Sequence, residues 1–134
     1  MFKTEITYKN YFDVEVTETL RFNLTENEVL DLISKDPQFD PGFLAYITQD
    51  RNYPKLMDVF RKLIVASYGE ISDNGKHFRK SDEIATDFVQ SAAYEALKDR
   101  MMSGDGTEFT NFVIGIFPSK MAGVLKQSLL TTNS

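Results

Sequence analysis

The chain has 134 residues, no cysteine, 26% charged and 42% hydrophobic residues, and a formal net charge of −5. The missing cysteine excludes disulfides, thiolate metal ligands and cysteine nucleophiles. The acidic balance argues against a general nucleic-acid surface, which needs basic charge to neutralise phosphates. The length suits a single domain over residues 1–134 with one core, and no apolar run approaches the roughly 20 residues of a membrane span. Residues 1–20 alternate charge with apolar residues and do not read as a signal peptide.

Phe2, Thr4, Ile6 and Tyr8 alternate with Lys3, Glu5, Thr7 and Lys9, and Phe12, Val14, Val16, Leu20, Phe22 and Leu24 keep the same parity. This is the period of two half-buried strands, joined antiparallel near Asn10, with a bend or bulge expected at Glu18, the one break in the pattern. Thr25 and Glu28 have capping-box spacing and open a helix to about Ser34. Asp36-Pro37 and Asp40-Pro41-Gly42 break it, and this stretch is expected to be a mobile connector. A short helix is expected over 43–49, with Phe43, Leu44 and Ile47 on one side. A longer helix follows from Tyr53 to Ser67, with Leu56, Val59, Phe60, Leu63 and Ile64 as its core stripe.

The run from Tyr68 to Phe88, YGEISDNGKHFRKSDEIATDF, writes a hairpin and a capped helix back to back. Asp73-Asn74-Gly75 tolerates the positive φ of tight hairpin turns, Ile71 and Phe78 anchor the arms, and Ser81 caps a helix with Asp82 and Glu83 in its first turn. Ser91 caps the next helix, which Gly104-Asp105-Gly106 ends. Thr107 opens another, closed by Pro118, and residues 119–130 outline a last amphipathic helix through Met121, Val124, Leu125 and Leu129, with a frayed end from Thr131. The fold class is α+β, predominantly helical, with an N-terminal two-stranded antiparallel element, a second hairpin at 69–79 and five to six helices.

Catalytic chemistry has no visible seat. His77, the only histidine, has no partner in sequence; no HExxH or DxDxDG motif occurs, and Gly104-Asp105-Gly106 lacks the strand and lysine of a phosphate loop. No enzyme activity, metal or cofactor is expected. What stands out is apolar excess: residues 109–117 hold three Phe, two Ile and a Val. Either this is a buried closing helix, or part of it, namely Phe109, Phe112, Ile116 and Phe117 with Met101 and Met102, serves a partner. Net charges of −4, +2, −5 and +2 over residues 1–36, 37–80, 81–118 and 119–134 are ordinary solvated faces or the bipolar surface of a homo-oligomer.

The order of Tyr68-Gly69-Glu70, the turn through Gly75-Lys76, the basic-aromatic strand and the Lys80-Ser81 helix start resembles the signature of tail assembly chaperones of long-tailed (siphovirus-type) bacteriophages and prophages. Ile6-Thr7-Tyr8 leading to the run Thr17 to Thr25, and Phe112 to Pro118, extend the resemblance over nearly the whole chain. It implies a chaperone in the cytoplasm of the infected or lysogenic bacterial host that binds the tape measure protein and keeps it soluble, without ATP. It also implies a longer form of the same chain made by ribosomal frameshifting. The recurrent positions Tyr68, Gly69, Gly75, Phe78, Ser81, Phe88, Gly115 and Pro118 read as architecture. The rival reading is a minor structural or connector protein of the tail that forms a ring. Phe112→Asp or Phe117→Asp is expected to abolish client solubilisation with the fold intact.

Overall fold

The alternation at the N-terminus produces two eight-residue strands, β1 (Phe2–Lys9) and β2 (Glu15–Phe22), paired antiparallel so that Phe2 faces Phe22 and Lys9 faces Glu15. The computed structural model describes residues 1–40, 44, 46, 50, 52–121 and 123. The connecting turn is closed by Asn10, whose side-chain oxygen accepts the N–H of Phe12 at 2.9 Å and of Val14 at 3.1 Å, while Asp13 takes a left-handed φ of 61°. The bond from Asn10 N to Val14 O continues the ladder. Bonded and non-bonded pairs alternate in an antiparallel ribbon, so the even-numbered residues exchange hydrogen bonds and the odd-numbered ones turn their N–H and C=O outward.

The register runs unbroken through Ile6–Glu18, so the bulge expected at Glu18 does not form. Glu18 is accommodated in place because its carboxylate accepts the Tyr8 hydroxyl. Burial first, and then this bond to an anion, push the Tyr8 pKa up to about 12.

Thr25 caps α1 (Glu26–Lys35) with the full reciprocal box, its hydroxyl accepting from Glu28 N while the Glu28 carboxylate accepts from Thr25 N at 2.9 Å. The connector is anchored at its start: Asp36 caps a 3₁₀ turn, Pro37–Phe39, which buries Phe39. Of the helix expected over 43–49, Leu44 and Tyr46 are helical and Leu44 is buried; Phe43 and Ile47 lie outside the described residues.

Helix α2 (Tyr53–Ser67) begins as expected, with Pro54 in its first turn, and buries its apolar stripe. The hairpin β3 (Glu70–Ile71) and β4 (Phe78–Arg79) leads to α3 (Asp82–Val89), α4 (Ala92–Met102) and α5 (Thr107–Ile116). Ser81 and Ser91 cap α3 and α4 through the N–H groups of Ile84 and Tyr94. Ser119–Met121 and Gly123 are helical, and the rest of the expected last helix lies outside the described residues.

β1 packs on α4 and α5, and α2 packs on α3 and α4. Between them lies a cluster of rings. Phe22 meets Phe112 edge-on with centroids 5.4 Å apart and also touches Phe2, Tyr68 and Phe88; Phe112 reaches on to Phe2 and Phe60. Such pairs contribute about 0.5–1.5 kcal/mol each beyond the area they bury. Gly115 makes room for Phe2: a Cβ there would stand 2.7 Å from its ring.

Two cations tie the periphery. Lys80 Nζ donates to the carbonyls of Asn23 at 2.9 Å and Ala66 at 3.2 Å and pairs with Glu28 at 2.5 Å, joining the ends of β2 and α2 to the start of α1. Arg100 reaches from α4 to β1, donating to Glu5 O at 3.0 Å and Thr4 Oγ1 at 2.5 Å.

Burial alone would raise the Glu28 carboxyl, but the Lys80 ammonium and the Thr25 N–H outweigh it and hold the pKa below the usual 4.5. The folded chain therefore binds that proton less tightly than the unfolded chain. The contribution is present above about pH 4.5 and is lost as pH falls through the lower folded value. Urea titrations of wild type and Glu28→Gln should differ by up to about 1 kcal/mol at neutral pH and converge in acid; a gap that widens in acid contradicts the assignment. Gly69 is a second probe, because a Cβ there would lie 2.8 Å from Arg79 O and 2.7 Å from the Phe78 ring. Gly69→Ala should cost about 1–3 kcal/mol in the same assay.

Candidate interaction surfaces

The residues expected to meet a partner cluster on α4, α5 and the residue that follows, and the structure turns most of them inward. Phe109, Phe112, Ile116, Phe117 and Met101 are buried, Phe112 with no exposed surface, and Met102 is half-buried. The excess of apolar residues in α5 has a direct cause: the helix is enclosed by the β1–β2 ribbon on one side and by α4 and the Phe60 side of α2 on another. The expectation that Asp at position 112 or 117 leaves the fold intact is therefore corrected. Phe112 lies in the ring cluster and Phe117 is buried, so a carboxylate at either position would be desolvated.

The exposed apolar side chains lie elsewhere. At the tip of the β1–β2 ribbon Tyr11 is 78% and Phe12 88% exposed, with Val14 beside them. Asn10 closes the turn beneath this tip, and both aromatic rings project from it into water. Sequence reading missed them because Phe12 and Val14 continue the strand parity. The signal available was the pair of turn formers, Asn10 and Asp13, flanking two aromatics.

Each edge of the ribbon is tied in part. On β1 the outward carbonyl of Glu5 is taken by Arg100. On β2 the outward groups of Arg21 and Asn23 bond Gly69 N and Ser67 O, whereas no hydrogen bond joins the outward backbone groups of Glu15, Thr17 and Thr19 to another described residue. Such an edge can accept a further strand.

A shallow cavity of about 250 Å³ lies between α2 and α3, lined by Arg61, Val65, Asp82, Ala85, Thr86, Val89 and Gln90. It holds no histidine, and among the described residues no hydrogen bond joins its Thr86 hydroxyl to the Asp82 carboxylate. His77 is exposed on the hairpin, and only its backbone is bonded, to Ser72. Among the described residues no three His, Asp or Glu side chains converge on a metal position, and no helix is long and apolar enough to cross a membrane.

A family model for phage tail assembly chaperones matches residues 1–131. The chain belongs to that family. No curated protein and no solved structure matches it.

The positions that carried the chaperone resemblance have structural tasks. Tyr68 stacks on Phe88 with centroids 4.0 Å apart, Gly69 and Gly115 give way to Phe78 and Phe2, Gly75 takes a φ of 73° in the hairpin turn, and Ser81 caps α3. They specify a shape, and the contact surface has to be sought in other residues.

Phe112→Asp should therefore destabilise by more than about 4 kcal/mol, whereas Phe12→Asp should change stability by less than about 0.5 kcal/mol; urea denaturation followed by circular dichroism separates the two outcomes.

Proposed function

We propose that this tail assembly chaperone binds the tape measure protein in the cytoplasm of the bacterial host and keeps it soluble until the tail tube forms, without turning over a substrate. Family membership carries the reading. The tip supports it: exposed aromatic side chains bury a large apolar area on binding with only two χ angles each to fix. Tyr11 and Phe12 are the contact residues we assign. Contact through Phe109, Phe112, Ile116, Phe117 or Met101 would first require the core to open, and Met102 is half-buried, whereas Tyr11 and Phe12 are exposed as they stand.

The acidic surface complements this role, since a net charge of −5 keeps a complex with a greasy client from self-associating. A longer frameshifted form of the same chain would present the same tip. The second reading, a minor tail or connector protein built into a ring, draws on the open edge of β2 at Glu15, Thr17 and Thr19.

Coexpression with the tape measure protein of the same genome should yield a soluble complex that the Tyr11→Asp, Phe12→Asp double variant loses at unchanged thermal stability. A client that stays insoluble with wild type overturns the function, and a double variant that still solubilises it overturns the assigned surface. Stoichiometric recovery of the chain from purified virions would favour the ring.

A further inference from the structure

Asn74 is the only asparagine of this chain followed by glycine, and both residues are exposed at the tip of the β3–β4 hairpin. Glycine offers the least hindered backbone nitrogen for attack on a preceding side-chain amide. Asn10, Asn23, Asn27, Asn52, Asn111 and Asn133 are each followed by a larger residue, the smallest of them the serine after Asn133.

The folded turn works against that attack. Gly75 N donates to Ser72 O at 2.8 Å, and the Asn74 side-chain oxygen accepts from Lys76 N at 3.0 Å and from the Ser72 hydroxyl at 2.9 Å. For the Gly75 nitrogen to reach Asn74 Cγ, it must leave Ser72 and the carboxamide must swing off both donors. The hairpin that holds these bonds has only two residues in each strand, so it can open locally while the ring cluster stays closed.

We propose that Asn74 is a site of spontaneous deamidation guarded by its own turn, so that modification proceeds through opening of the β3–β4 hairpin. The step balances with water as the only co-reactant. The Gly75 nitrogen forms a bond to Asn74 Cγ and gives up its proton, ammonia leaves with the former side-chain nitrogen, and a five-membered succinimide results. Water then opens the ring at either carbonyl to aspartate or isoaspartate. Aspartate adds a negative charge beside Asp73. Isoaspartate inserts a methylene into the main chain between the arms, which breaks the Glu70–Arg79 and Ile71–Phe78 register and loosens the neighbouring Lys80 tie.

Incubating the full chain at mildly alkaline pH, in buffer and in urea, and mapping peptides by mass spectrometry with isoaspartate-specific methylation tests both halves. In urea, conversion should concentrate at Asn74 over the other six asparagines, with isoaspartate present. In buffer it should be slower by about tenfold or more, and Ser72→Ala should recover much of the lost rate. Conversion in urea no faster at Asn74 than elsewhere overturns the site. Equal rates in buffer and urea overturn the guard, whatever the folding state of Ser72→Ala.

Discussion

The edge-on contact between Phe22 and Phe112 joins the two parts of this molecule that could not stand apart. A two-stranded ribbon is marginal alone in water, and a short helix such as α5, with ten residues, holds no stable shape by propensity. Phe22 comes from the end of the ribbon and Phe112 from the middle of α5, and the rings around them belong to β1, α2, α3 and the link after α2. Each element is therefore stabilised by a partner far away in the chain. Gly115 is small because the close approach of Phe2 that this requires leaves no room for a methyl group.

The polar ties act around that cluster. Lys80 collects two carbonyls that the ends of β2 and α2 leave without helical or ladder partners and adds the Glu28 carboxylate, and Arg100 takes the Glu5 carbonyl on the outer edge of β1. Ion pairs this accessible contribute little net free energy. Their effect is on geometry: they fix where the strand ends meet the helix ends, so that the rings meet in one arrangement.

Most of the architecture was legible because local chemistry and tertiary contact agree. Thr25 with Glu28, Ser81 and Ser91 all cap the helices expected of them, α2 has the bounds its periodicity implies, and Gly75 takes the positive φ its turn requires. What escaped depends on where a side chain faces after folding. A dense apolar run in α5 reads equally as core or as a sticky surface, and only the position of the ribbon decides for core. Phe12 keeps strand parity yet sits on the turn, and Glu18 breaks parity yet stays in register because Tyr8, across the ribbon, supplies a donor.

This tail assembly chaperone encloses the apolar face of α5 and leaves Tyr11 and Phe12 exposed at the ribbon tip. That description stands on the ribbon and helices forming one cooperative unit through the rings. Native-state hydrogen exchange measures this directly at the amides of Ile6, Leu20 and Phe22, whose N–H groups point into the ribbon, and at Val113 and Ile116 in α5. The account predicts that both sets exchange at the same slow rate, set by global unfolding. Ribbon amides that exchange much faster while α5 stays protected would contradict it.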